Sequence, residues 1–222
     1  MDAGELNSRR APRGEAVGPQ PRLHPVPSVG VLALQGAVEP HLRMLERVGA
    51  AARELRVPTE LAGLDALVLP GGESTTMSHL LASSGLREPL GAFMAEKPVL
   101  ATCAGMILLA RRAEGLPFPP YGLLDIDVAR NAWGRQIFSF QEEIDWALPA
   151  PTGEPGPARL KAIFIRAPRV TRVGAGVEVL ARIHGEPVAL RQGRLLALSF
   201  HPELTADPRV HAWFLREFLV SR

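Results

Sequence analysis

Short, uninterrupted apolar runs that stop at small or reactive residues constrain this chain more than any other feature. Residues 28–34 (SVGVLAL), 66–69 (ALVL), 98–102 (PVLAT) and 195–199 (LLALS) are far too short to cross a membrane as helices. They also lack the polar–apolar alternation of a half-exposed strand, so they fit strands buried on both faces. Segment 52–57 is a further strand candidate. Between these runs, apolar residues recur at helical spacing: Leu42, Leu45 and Val48 within 41–48, and similar patterns over 74–82, 87–95 and 104–112. Strands alternating with helices predict a parallel sheet covered by helices on both sides. The second half changes character. Segments 123–128, 136–144, 160–165, 178–183 and 187–190 are strand-like with turns between them, and 210–220 is an amphipathic helix. The expected architecture is an α/β three-layer sandwich, its mainly parallel sheet flanked by helices, with added antiparallel strands in the second half.

Residues 1–27 lie outside this pattern. They are rich in Pro, Gly, Arg and Ala and carry no periodicity, so they are expected to form a disordered tail, leaving one domain over 28–222. They contain no signal-peptide core. Composition excludes several classes of function. Charged residues make up 22% of the chain and the formal net charge is only +2. The arginines are scattered, and Lys97 and Lys161 are the only lysines, so no nucleic-acid-binding patch is expected. The absence of a long apolar run argues against membrane insertion, and a cytoplasmic location is expected.

The chain has a single cysteine, Cys103. It can form neither an internal disulfide nor a thiolate metal cluster. A free cysteine ordinarily behaves as a small hydrophobe, so a reactive role has to be argued from its neighbours. Cys103 sits in Thr102-Cys103-Ala104-Gly105, between a buried strand and a helix. A sharp strand-to-helix turn lifts a nucleophile out of the sheet. The free N–H groups at the start of the next helix, Ala104 first among them, favour negative charge there.

A second motif, Ser199-Phe200-His201-Pro202-Glu203, follows the last apolar run. Residues two apart in extended chain share a side, so Glu203 can hold the His201 ring in one tautomer and stabilise its cation. The bland alternative is a solvated surface turn. The remaining histidines, His24, His41, His79, His184 and His211, show no such setting. A third motif, Pro70-Gly71-Gly72-Glu73-Ser74-Thr75, leaves another buried strand for a helix. Paired glycines bare backbone N–H groups for an anion or an oxyanion. No lysine follows, which disfavours nucleotide binding. The alternative is a plain turn with Ser74 as helix cap. All three motifs fall at the carboxyl ends of strands, where open α/β sheets bind ligands.

At these residues the chain resembles the class I, triad-type glutamine amidotransferases. Within them it is similar to the glutaminase subunits of two-subunit pyridoxal 5′-phosphate synthases, over about residues 28–221. The resemblance rests on Leu32 to Val38, Pro70 to Met77, Thr102 to Gly105, Arg130-Asn131, Gly134-Arg135-Gln136, Phe164 to Pro168 and Ser199 to Thr205. It implies that Cys103 is the nucleophile, His201 the general base and acid, and Glu203 the orienting carboxylate. It implies that L-glutamine is held by Gly72, Glu73, Ser74, Arg130, Ile165 and Arg166, with Gly72 and Ala104 donating to the oxyanion. It further implies a synthase subunit as partner and recipient of ammonia, with no cofactor and no metal in this chain. Ala101 departs from the glycine of many relatives. The alternatives are a glutaminase of another pathway, a cysteine hydrolase of another class, and a catalytically silent regulatory module. Because the tail lacks the apolar content to join a core, deleting residues 1–27 is expected to leave thermal unfolding and turnover unchanged. Loss of solubility or of partner binding on truncation would make the tail a functional arm.

Overall fold

The computed structural model describes residues 26–130, 139–146, 148, 154–156 and 159–220. Most of the expected tail, the Gln136 end of one expected strand, and Asn131, Gly134, Arg135 and Gln136 lie outside them. In chain order, β1 (Ser28–Leu32) is followed by α1 (Val38–Arg47), β2 (Ala51–Leu55), a 3-10 turn at Pro58–Leu61, β3 (Ala66–Leu69), α2 (Ser74–Ser83) and α3 (Arg87–Glu96). Then come β4 (Val99–Thr102), α4 (Ala104–Leu109), β5 (Ala110–Ala113), β6 (Leu124–Ala129), β7 (Ser139–Asp145) and β8 (Arg159–Ile165). The chain continues through β9 (Arg169–Val173), β10 (Glu178–Ile183), β11 (Glu186–Gln192), β12 (Leu195–Leu198), a 3-10 turn at Pro202–Leu204 and α5 (Arg209–Leu215), which runs on into a π turn at Arg216–Val220.

The central sheet has seven strands in the order β10-β11-β12-β4-β3-β1-β2. The pairs from β12 through β4, β3 and β1 to β2 are parallel, while β10–β11 and β11–β12 are antiparallel. The apolar runs are continuous because this sheet has a core on each side. Ala66, Val68, Leu100, Leu196 and Leu198 face the core formed with Leu45 of α1, Phe214 of α5 and the β7–β8 hairpin. Leu67, Leu69, Val99, Ala101, Leu195 and Ala197 face the core formed with α2, α3, α4 and β6. Polar side chains on either face would lose hydration without compensation. The expected three-layer α/β sandwich with added antiparallel strands is therefore the architecture found.

Two elements differ from expectation. The helix after Cys103 ends at Leu109, and Ala110–Ala113 is a strand pairing with β6 rather than a continuation of that helix. Arg169–Val173 is an antiparallel strand against β6 where no strand was expected. Both are short strands with exposed arginines, so neither carries the apolar signature of the central sheet.

The chain passes from β1 outward to β2 and then returns to the other side of β1 for β3. That reversal opens a crevice beyond the carboxyl ends of β1 and β3, the usual ligand position in such sheets. Helix α4 packs tightly against β3 there: a methyl on Gly105 would lie 2.2 Å from the Leu69 carbonyl oxygen. Gly105→Ala is therefore expected to cost about 1–3 kcal/mol of stability in urea unfolding, the usual range for overpacking. Gly176→Ala, where the nearest atom is Gln192 Nε2 at 3.9 Å, should change little.

Candidate active site

Three strand ends meet at the crevice. Cys103 follows β4, with its N–H donating to the Leu198 carbonyl at 2.8 Å. Its φ of 47° places it in the left-handed region, which a side chain enters at a cost of roughly 1–3 kcal/mol. This is the sharp strand-to-helix turn expected of a raised nucleophile. His201 follows β12 and donates its N–H to the Ile163 carbonyl at 2.8 Å, which draws the end of β8 toward the site. Gly71 follows β3 and lies between the two side chains. A methyl on Gly71 would come within 2.2 Å of His201 Cε1 and 3.2 Å of Cys103 Cβ, so only glycine fits.

His201 Nδ1 is 2.6 Å from Glu203 Oε1, and both side chains are almost wholly buried. The Cys103 side chain lines the same cavity as the ring and favours its cationic form. The sulfur also lies 3.6 Å from the Ile165 carbonyl oxygen. Burial by itself would lower the pKa of His201, but hydrogen bonds to Cys103 and Glu203 and the charge of Glu203 raise it to about 10. Burial likewise opposes ionisation of Glu203, and the histidines around it hold it below the ordinary carboxylate range. The ring is thus kept cationic in the cavity that the Cys103 sulfur also lines.

A cavity of about 260 Å³ opens in front of this array, just below the usual range for drug-sized ligand sites. Its lining includes Gly72, Glu73, Ser74, Cys103, Arg130, Ile165, Arg166 and His201, all of them expected site residues. Glu203 stands behind His201, and Ala104 is buried behind Cys103 at the start of α4. Arg130 donates to Thr75 Oγ1 at 2.7 Å and to the Gly115 carbonyl, and lies 3.5 Å from Glu73 Oε1. Arg166 has a φ of 44° and is exposed at the rim. Glu73, rather than Ser74, caps α2: its carboxylate accepts from the Thr75 and Thr76 N–H groups at 3.2 and 2.7 Å and from Thr76 Oγ1 at 2.9 Å. Partial burial opposes that ionisation, and the threonine donors outweigh it, holding the group at about 2.

Sequence reasoning missed several members of the site. Gln35 Oε1 accepts from the Glu73 N–H at 2.8 Å, and the Ala37 N–H donates to the Gly71 carbonyl at 2.9 Å. Residues 35–37 therefore fix the Gly71–Gly72 loop from the β1 side. A polar glutamine immediately after a buried strand is the signal for it. His41 and His211 are fully buried, His41 facing Glu203 and His211 facing His41, so the expectation that these histidines lack a defined setting is overturned. Their signal is periodic: His41 shares a helical stripe with Met44 and Leu45, and His211 one with Phe214, Leu215 and Phe218. Among the described residues no cluster of His, Cys, Asp or Glu is arranged to hold a metal ion.

A cysteine at a strand-to-helix turn, with a His-x-Glu pair just after the adjacent parallel strand, defines the class of triad-type glutamine amidotransferases. The chain belongs to the SNO glutamine amidotransferase family, whose model matches residues 31–220. It is 53% identical over 195 residues to a pyridoxal 5′-phosphate synthase subunit PdxT of Mycolicibacterium vanbaalenii, covering 85% of this chain and 96% of that one. It is 51% identical over 195 residues to the PdxT of Deinococcus radiodurans, covering 85% and 95% respectively. A crystal structure of a glutamine amidotransferase superposes with a TM-score of 0.76 at 46% identity, over 85% of this chain and 97% of that one.

The raised pKa of His201 has a consequence for stability. The folded ring binds its proton more tightly than an unfolded one at 6.5. Its contribution is therefore full below pH 6.5 and fades as pH rises toward about 10. The difference in unfolding free energy between the wild type and His201→Asn is expected to narrow across that window in urea titrations. A difference that stays constant would show that the ring is not held as a cation.

Proposed function

We propose that this chain hydrolyses L-glutamine to L-glutamate and ammonia, and that it passes the ammonia to a pyridoxal 5′-phosphate synthase subunit. The observation that carries the chemistry is the Cys103–His201–Glu203 array at the floor of a cavity sized for one amino acid. The partner reading rests on PdxT relatives that are named as subunits of that synthase. In this reading residues 28–222 act as one amidotransferase domain, and residues 1–27 are a tail without catalytic part. Among the described residues no helix is long and apolar enough to cross a membrane. A reducing cytoplasm suits an enzyme whose only thiol is its nucleophile.

The reaction follows from the geometry. The Cys103 sulfur attacks the side-chain amide carbon of glutamine, and the carbonyl oxygen becomes an oxyanion. Ala104 begins α4, so its N–H has no partner within the helix and can donate to that oxygen, with Gly72 N–H as the second donor. His201 gives its proton to the departing nitrogen, ammonia leaves, and a glutamyl thioester remains on Cys103. His201 then takes a proton from water, which attacks the thioester and releases glutamate and the thiol. Glu203 keeps the ring in the tautomer both steps require. Arg130 offers positive charge to the substrate α-carboxylate and Glu73 negative charge to its ammonium, with Ser74, Ile165 and Arg166 shaping the pocket around them.

The Gly71–Gly72 peptide also makes turnover depend on the partner. Its carbonyl is held by the Ala37 N–H, so a shift of the β1–α1 loop that breaks this bond would leave the peptide free to turn. One oxyanion donor is worth about 3–4 kcal/mol, on the order of a hundred- to thousand-fold in rate. A synthase subunit that selects the productive peptide would therefore switch turnover without touching the triad. The test is glutamate release at saturating glutamine, by the chain alone and with increasing synthase subunit. Low turnover that rises with the partner, and is abolished in both conditions by Cys103→Ala, is expected. Activity in a folded Cys103→Ala protein would remove the cysteine mechanism, and equal turnover with and without partner would remove the gating.

A further inference from the structure

Glu203 has two carboxylate oxygens, and the triad uses one. Oε1 binds His201 Nδ1, whereas Oε2 is buried, makes no conventional hydrogen bond, and faces His41 Nε2 at 3.4 Å. His41 is itself enclosed: its Nε2 is also 3.2 Å from Thr102 Oγ1, and its Nδ1 is 3.0 Å from His211 Nε2. The two rings lie with centroids 5.2 Å apart. The far nitrogen of His211, Nδ1, is buried with no hydrogen-bond partner. A chain of groups thus runs from Cys103 through His201 and Glu203 to His41 on α1 and His211 on α5.

Hydrogen-bond accounting fixes the protons along this chain. Burial lowers the pKa of His41 despite the opposing charge of Glu203, and the His201 charge lowers it further; burial lowers His211 more strongly still. Both rings are therefore neutral, with one N–H each. If His41 carried its proton on Nδ1, its Nε2 could accept from the Thr102 hydroxyl, but the same lone pair would face the Glu203 carboxylate. His211 would then have to accept at Nε2 and bury an N–H on Nδ1 with nothing to receive it. With both protons on Nε2, His41 donates toward Glu203 Oε2 and Thr102, and His211 donates to His41 Nδ1. Only an acceptor on His211 is then left without a partner, the lesser penalty for a buried group.

We propose that His41 is a positioning residue of the triad, its Nε2–H holding the second oxygen of Glu203, and that His211 sets the tautomer that makes this possible. Glu203 is gripped from both ends, and its free oxygen cannot swing toward His201 or draw in water. This role rests on the glutaminase reading, but the proton placement behind it is a property of the resting protein.

Two measurements test it. The first is nitrogen NMR of the imidazoles in the full-length chain, with signals assigned through His41→Gln and His211→Gln. Neutral rings protonated at Nε2 are expected for both; His41 protonated at Nδ1, or cationic at neutral pH, would overturn the proposal whether or not the chain hydrolyses glutamine. The second is glutamine hydrolysis by the full chain with the synthase subunit. His41→Leu should lower kcat about tenfold to a hundredfold, the usual cost of losing an outer partner of a functional side chain, with KM unchanged. His41→Gln, whose amide nitrogen can stand in for Nε2, should recover most of that loss. Wild-type kcat in a folded His41→Leu protein, or a Gln variant as slow as the Leu variant, would show that His41 serves packing alone. If His41→Leu does not fold, the Gln variant and the spectrum still decide. A wild-type chain inactive on glutamine would count against the glutaminase reading and leave the spectrum to judge the proton placement.

Discussion

Parallel pairing of β3, β4 and β12 is the constraint on which the site depends. Leu69 lies opposite Ala101, and Thr102 lies opposite Leu198, so the three strands end almost level. Each chain then leaves the sheet by a different device. β3 exits through paired glycines, β4 through a strained cysteine, and β12 through an extended segment that pairs with β8 by the His201 N–H. A slip of one residue in any pair would exchange the faces of a strand buried on both sides. It would also separate sulfur from imidazole by more than three ångströms, the rise per residue of a strand. The two hydrophobic cores thus fix the geometry of the proposed site as well as the stability of the fold.

Within that frame the main electrostatic problem is a carboxylate placed where water does not reach. Glu203 is only 5% exposed, and an unpaired buried charge would cost several kcal/mol. Its 2.6 Å contact with a cationic His201 offsets that cost, and the same contact raises the ring's proton affinity. Each partner stabilises the charged form of the other. Removing either one leaves a buried charge behind, so the pair is maintained jointly. Glu73 solves the opposite problem at the cavity's edge. Its carboxylate is occupied by the first turn of α2, which holds a negative charge at the mouth while fixing the loop that carries Gly72.

Much of this was legible in the sequence because the site is local. Cys103, His201 with Glu203, and the Gly71–Gly72 loop each sit directly after an apolar run, and such runs are read reliably when both faces are buried. What escaped notice was non-local or weakly patterned. β5 and β9 are short strands whose arginines face solvent, so burial leaves little mark on their composition. The helix after Cys103 was read too long because Leu108, Leu109 and Ala110 are all apolar and buried, and apolarity alone does not distinguish a helix end from a strand start. Ser74 is the cap in the alternative reading of its motif because serine favours that position, yet Glu73, one residue earlier, reaches the Thr75 and Thr76 N–H groups. His41 and His211 are 170 residues apart in sequence, and only the packing of α1 against α5 brings them together.

Ala101 shows how the fold absorbs a departure that the motif alone made questionable. The sequence resemblance makes Ala101 a departure from glycine and so implies a tightened turn here. In the structure Ala101 is an ordinary strand residue, paired with Leu69 on one side and Ala197 on the other. Its methyl group is fully buried in the core beneath α2, α3 and α4 and takes no part in the turn. The unusual backbone begins two residues later, at Cys103 itself, where φ is 47°. The strain is held there by the Cys103 N–H bond to Leu198 and by the close seat of Gly105 on Leu69. Gly105 is the glycine the elbow requires, because it allows α4 to start against the end of β3. An alanine at 101 fills core space, whereas an alanine at 105 would push the helix, and the N–H groups at its start, away from the Cys103 sulfur.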